Sequence, residues 1–473
     1  MVIYLKFIGP FLRINSLKEQ DISNQLFHLS KESLRHIVLE SRCGIPVSPH
    51  ALSKHISKID INQIKSFSPL LCIYKKGSAK LTLENNTLTW NTNKFKKEIC
   101  IFANALMTLS LLELSNYYKD FKDIDKKKFN LSDIYLALSK CQLEFYASYL
   151  RNLEGVFVNK IHSSDLLSEE LKFEEKNCKF KFSDQALLMC AYYRYSTFFT
   201  EENDDIKDNY AKEYKNFSLD ILNMFLNFRE NIYEVSFIEK LKICAALNLF
   251  YFYSKNEDSK FLLLDTYDLI LDEYNQNIVD LKKNKVLCDS LLLINSQFIY
   301  KNLNFLKAKE ISDTLYTKLI SMYDENLGLY QKDLDSKTIE YDCSELVCYL
   351  YSLLMYSSLF DNNEDIDILE NLFKNSIINS GLVLSWPEVP PLNDTERYKN
   401  FSKKSDDLLD DQNFRMPTIP TPESNELASI FVKKISYNRK KSEFKQSKSS
   451  FDSNKNMLIF FMCIFYNNNL LKM

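Results

Sequence analysis

The chain has 473 residues, 45% hydrophobic and 26% charged, with a formal net charge of −3 at pH 7. That is enough apolar sequence for a large core, and so even a balance gives no overall field to recruit nucleic acid or an anionic membrane. Eleven cysteines and only six glycines exclude more. There is no CxxC and no Cys/His spacing suited to zinc, so no metal is expected and the thiols read as reduced. Without GxxxxGK[ST] or GxGxxG, no glycine loop can cradle a nucleotide phosphate, and no cofactor is expected.

The opening "MVIYLKFIGPFLRI" lacks the basic start and long apolar stretch of a signal sequence and reads as a short strand. Residues 21–42 carry helical periodicity. "LLCIYKK" and "KLTLENNTLTW" read as strands, the second a hairpin turning at Asn85-Asn86, so a small β element is expected near the N-terminus. From about residue 95 helices dominate: 95–121, 131–152 (opened by Ser132/Asp133), 182–200, 206–230, 237–255, 259–277, 283–303, 305–325, 341–361 and 365–379. A last one lies within 424–437 or 457–468. The apolar run Met457–Tyr466 is about half the length of a membrane span. No transmembrane segment is expected, and the location reads as cytoplasmic.

The scarce glycines recur in one setting. Gly155 in "EGVFVNK", Gly328 in "ENLGLYQKD" and Gly381 in "NSGLVLSWPE" each follow a helix, where a left-handed cap residue belongs. Their spacings, 173 and 53 residues, fit multiples of one helical hairpin of about 58 residues. Long connections (43–94, 153–181, 327–340, 380–423) follow odd-numbered helices, whereas short ones (256–259, 303–305, 361–365) follow even-numbered ones. Short turns pack helices antiparallel, so the long loops gather on one face, where binding and catalysis concentrate.

On these repeated joints the chain resembles the (α/α)6 six-hairpin toroids, the glycosidase-like superfamily. It includes glycoside hydrolases, unsaturated glucuronyl hydrolases, polysaccharide lyase domains and sugar epimerases. The resemblance is architectural. It implies an all-α ring of about six hairpins with a small N-terminal β element, the second helix of each pair lining the axis. An open α-solenoid is the competing architecture, although no tetratricopeptide or ankyrin consensus is visible. The lack of a Cys-Cys-His set counts against zinc-binding toroids such as the lanthionine cyclases. The organisation then divides into residues 1–94 (β element, first outer helix and hairpin insertion), 95–431 (toroid body) and 432–473 (a basic segment and an apolar helix completing or capping the ring).

The resemblance also implies a carbohydrate-active enzyme of the glycoside or unsaturated-uronide hydrolase type, with a carbohydrate ligand in an axial pocket; the alternative is a noncatalytic helical binding or scaffold protein using the long-loop face. Three inner helices begin with acids: Asp184 in "SDQALL", Asp342 and Glu345 in "DCSELV", and Glu423 and Glu426 in "ESNELA". A glycosidase needs one protonated acid and one base or nucleophile, which makes Asp184, Asp342 and Glu345 the catalytic candidates. Plain helix capping places the same residue types at the same positions. Opposite helices of a six-membered ring would leave roughly 10 Å between Asp184 and Glu345, near the upper limit for an inverting pair.

Trp386 and Glu388 in "SWPEVPPLND", with His162 and Glu426, are the substrate-binding candidates. A Trp that only pins its loop is the alternative for Trp386. Epimerases of this architecture use histidines, but His28, His36, His50, His55 and His162 all lie off the expected inner helices. The basic stretch 432–448 is either a docking tail for a protein partner or a solvated linker.

Overall fold

The computed structural model describes residues 19–53, 67–84, 87–163, 171–177, 179–199, 205–276, 285–332, 336–362, 364–388, 394–398, 424, 426–446 and 449–470. The expected strand at residues 1–14 lies outside them. Twelve long helices occur among the described residues: α1 (Glu19–Leu39), α2 (Ile101–Lys119), α3 (Lys126–Tyr149), α4 (Phe182–Ser196), α5 (Asp205–Asn227), α6 (Phe237–Ser254), α7 (Glu257–Asn275), α8 (Lys285–Leu303), α9 (Leu306–Ile320), α10 (Cys343–Phe360), α11 (Ile366–Phe373) and α12 (Ser453–Asn469). The chain is therefore mostly helical.

Sequence explains the alternation. α2, α10 and α12 are apolar around most of their circumference and most of their residues are buried, the pattern of a helix surrounded by protein. By length and composition alone α10 could cross a membrane, and most of it is buried here. α1 and α5 have one apolar stripe and lie outside. The contacts follow this division: α2 packs on α4, α4 on α6, α6 on α8, α8 on α10, α10 on α12, and α12 back on α2. Each odd helix packs on an even one: α1 on α12, α3 on α2, α5 on α4, α7 on α6, α9 on α8 and α11 on α10.

Three short joints share one device. Lys255, Asn304 and Asp361 adopt left-handed backbone (φ +52°, +51° and +51°) after α6, α8 and α10. Each donates its N–H to the carbonyl four residues back, on Tyr251, Tyr300 and Ser357. Glycine serves a different purpose. Gly155 and Gly328 have φ of +84° and +65°, but they lie beyond the helix ends. Gly328 turns the tiny hairpin of β8 (Tyr323–Asp324) and β9 (Leu329–Tyr330), and Gly155 turns the one bridged by Arg151 and Phe157. Gly381 alone follows a helical segment directly, the turn Lys374–Asn379 that extends α11.

The β structure is larger than an N-terminal element. β1 (Gly44–Pro46), β2 (Leu70–Ser78), β5 (Lys96–Ile99), β6 (Lys160–His162) and β7 (Phe173–Glu175) form one sheet in that order, with β13 (Ser450–Asp452) also paired to β2. It thus draws strands from three distant parts of the chain. β3 (Leu81–Glu84) and β4 (Thr87–Trp90) form the expected hairpin, although its Asn85-Asn86 turn is outside the described residues. β10 (Thr338–Asp342), β11 (Lys434–Asn438) and β12 (Glu443–Gln446) make a third sheet.

Two sequence expectations need correction. The described part of 424–437 is not helical, because "LASIFV" pairs in extended form with residues 79–81 and 382–384 before entering β11. The final helix is α12. Likewise α3 starts at Lys126, where Asp125 accepts from the N–H groups of Lys127 and Lys128. Ser132 is buried inside it, bonded to Ser115.

Candidate functional site

The even helices all begin at one end. Asp342, at the start of α10, pairs with Lys455 in the first turn of α12. Lys455 shares a field with Lys242 of α6, Lys242 with Asp184 of α4, Asp184 with Cys100 before α2, and Cys288 of α8 with Glu345 of α10. Strands β5, β10 and β13 deliver the chain into α2, α10 and α12 at this end.

The sequence candidates differ in what surrounds them. Asp342 is a helix cap: its carboxylate accepts from the Ser344 N–H at 3.0 Å and the Ser344 hydroxyl at 2.7 Å. Glu345 is buried, accepting from the Tyr330 hydroxyl at 2.5 Å and from Lys332 at 2.8 and 2.9 Å. Asp184 is 5% exposed, and among the described residues nothing hydrogen-bonds or ion-pairs with its carboxyl. Burial pushes it up to about 7, with Lys181 and Lys242 acting against the shift and Glu239 adding to it. Glu239 accepts the first-turn N–H of Ser183 at 3.0 Å, so Asp184 is not needed as a cap.

Lys242 was not visible as a candidate in the sequence. It lies one turn inside α6, half-buried, and among the described residues no carboxylate is within ion-pair reach. Burial lowers its pKa, and Lys181 and Lys455 lower it further, while Glu239 and Asp184 oppose them. Its ammonium is 5.3 Å from the centre of the Phe102 ring on α2. α2 and α6 flank α4 in the contact cycle, so Lys242 reaches past the start of α4 toward α2. An acidic residue at a helix start is a sequence signal; a lysine five residues into an apolar helix is not, because outer faces carry lysines at the same spacing.

The remaining candidates are not brought to Asp184 by any described contact. Trp386 is buried rather than an exposed platform, and its indole N–H has no partner among the described residues. The backbone carbonyl of Glu388 lies 3.0 Å from His28 Nε2 on the outer helix α1. Glu426 is exposed at a turn, its carbonyl accepting from the Leu81 N–H. Glu423 lies outside the described residues. His162 is not a loop residue: it is in β6, with Nδ1 2.5 Å from the Tyr74 hydroxyl and its ring against Phe173. Burial, then Lys97, lower its pKa. Of the basic stretch, 434–446 forms the β11–β12 hairpin. On β5, next to β6, Glu98 gathers Lys75 (2.8 Å), Lys96 (3.3 Å) and Lys176. Burial opposes ionisation there, but the bonds and charges of these lysines bring it down to about 2.

Deeper, the enclosed space is filled. The rings of Phe252 (α6) and Phe465 (α12), opposite members of the cycle, are 5.5 Å apart, and Phe298 of α8 lies 5.8 Å from both. At the far end buried Glu113 accepts from Arg194 at 2.9 Å, Tyr253 at 2.8 Å and Asn469 at 3.0 Å. Two surface cavities, about 370 and 200 Å³, are lined by Ser321, Tyr323 and Lys332 and by Arg229, Phe261 and Asp265; neither includes Asp184 or Lys242. Among the described residues no group of His, Cys, Asp and Glu could hold a metal, and the ten described cysteines are buried free thiols.

No family model matches the chain, and no curated protein matches it significantly. Among solved structures it is similar to a Bacteroides ovatus GH9 structure, with 9% identity over 95% of this chain and 83% of that one and a TM-score of 0.44. At that distance the likeness assigns neither a family nor an activity.

Proposed function

We propose that the chain is an (α/α)6 toroid that binds a carbohydrate ligand at the mouth where its even helices begin, with Asp184 and Lys242 as the polar contacts. The toroid reading is supported by the contact cycle that runs from α2 through α12 and returns to α2. The site reading is carried by one observation: Asp184 is buried and Lys242 half-buried, yet neither has a bonded partner among the described residues. Burying a polar group without a partner costs about 1–3 kcal/mol, and groups so placed concentrate at functional sites. A sugar hydroxyl or carboxylate supplies both the acceptor and the donor that the pair lacks, and the half-buried ring of Phe102 offers an apolar surface beside them.

Binding is favoured over two-carboxylate hydrolysis. Hydrolysis by Asp184 with Glu345 needs a second carboxylate free to act on water or sugar. Glu345 is instead occupied by Tyr330 and Lys332, and Asp342 by Ser344 and Lys455. The aromatic filling below the mouth leaves a shallow ligand position rather than a deep one.

A thermal-shift screen against neutral sugars, uronic acids and sugar phosphates tests this, run on the wild type, Asp184→Asn and Lys242→Met. The expected result is a ligand whose stabilising shift is lost in both variants. A shift that survives both substitutions, or no shift with any sugar, overturns the reading.

A further inference from the structure

A second polar site lies on the outside of the helices, where α2 ends and α3 begins, and none of the reasoning about the mouth involves it. The Glu396 carboxylate is held by three helices at once. One oxygen accepts from Lys31 of α1 and from the Tyr117 hydroxyl of α2 at 3.0 Å; the other accepts from Lys128 of α3 at 2.7 Å. Lys128 also binds Asp394 at 2.9 Å, and the Thr395 hydroxyl donates to Asp125 at 3.2 Å. Asp394 in turn accepts the Glu396 N–H at 2.8 Å, which turns both carboxylates toward the same lysine. Lys31 is 2% exposed. Besides Glu396 it has Glu32 at 3.1 Å and the ring of Tyr118 at 6.0 Å.

We propose that Lys31, Lys128 and Tyr117 form a receptor for an acidic peptide segment, and that the chain's own Asp394–Glu396 is its resident occupant. The chemistry is that of peptide recognition. Charge-assisted bonds from separate rigid elements converge on two carboxylates of one short segment. A buried ion pair adds little stability over an apolar pairing of the same volume, so stability alone does not account for a lysine at position 31. What such a pair does provide is selectivity for the group that completes it. A carboxylate pair from another chain meets the same three donors once the internal segment yields. Covalent tethering gives that segment an effective concentration of order millimolar, so in the wild type an outside peptide competes at a disadvantage.

The test uses the full chain and a fluorescein-labelled, acetylated peptide of residues 394–398 (Asp-Thr-Glu-Arg-Tyr), with binding read by anisotropy. The double variant Asp394→Asn, Glu396→Gln should bind it at least ~10-fold more tightly than the wild type, the advantage of a vacated receptor. Adding Lys128→Ala to that variant should abolish the gain, and a peptide carrying Asn and Gln in place of its acids should not bind. A folded double variant that binds no better than the wild type overturns the proposal. Should the double variant not fold, hydrogen exchange on the wild type decides. A few millimolar peptide should speed exchange of the amides of residues 394–398, and unchanged rates there overturn it equally.

Discussion

Asp184 carries a sign that can be measured. Its folded pKa, about 7, is above the value of about 3.9 expected in the unfolded chain. Between those values the folded state binds the extra proton, so the contribution of Asp184 to stability is most favourable below pH 4 and falls as pH rises toward 7. This is opposite to the usual behaviour of a paired carboxylate, as at Glu98, where the lysines depress the pKa and acid removes the contribution. Asp184→Asn cannot ionise. It should therefore raise the melting temperature relative to wild type by several degrees at pH 7.5 and by much less at pH 4.5, from melts across that range. A variant destabilised equally at both pH values would mean that Asp184 has an ionic partner. Asp184 was legible in the sequence because an acid in a first helical turn is a recognisable pattern. Its isolation was not, since that depends on Glu239 of the next even helix taking over the capping of Ser183.

At the scale of elements, the three left-handed joints show what a glycine-poor chain does at tight turns. L-residues pay about 1–2 kcal/mol in that conformation, less for Asp and Asn. Asp361 carries a second penalty, a negative charge at the negative end of α10, worth about 0.3–1 kcal/mol. Burial, then the charge of Asp361, also push Glu19 up to about 7. Asp361→Gly should thus stabilise the protein by about 0.5–1 kcal/mol after the entropy of glycine in the unfolded chain is subtracted, as read by denaturant melts. Asp361→Asn, which keeps the side-chain shape, should recover only the charge part; a destabilised glycine variant would show that the Asp361 side chain is needed at the joint. Helix order was readable because loop lengths alternate and inner helices are apolar on every face. The stretch 424–437 was misread because a short continuous apolar run such as "LASIFV" fits a buried strand as well as a helix, and only its partners, residues 79–81 and 382–384, decide between them. The same limit hid the reach of the main sheet, whose strands β6 and β13 are three residues each and carry no periodicity of their own.

For the whole molecule, the issue is whether the hairpins close on themselves. Repeated joints could suggest a ring but could not distinguish it from an open array, because closure depends on one contact between distant parts of the chain, α12 against α2. α12 is deeply embedded: Met457, Ile459, Phe460, Ile464 and Phe465 are all essentially buried, each worth about 1.5–3 kcal/mol in transfer from water. In an open array each repeat touches only its sequence neighbours, so removing the last helix would bare α10 and leave α2 unaffected. In a closed ring the same removal bares, besides the outer α1, two even helices, α2 and α10, that lie more than two hundred residues apart in sequence. A chain ending at Asp452 keeps β13 on β2 and loses only α12. Hydrogen exchange on it should show lost protection in both α2 and α10. Protection lost in α10 but retained in α2 would identify an open array.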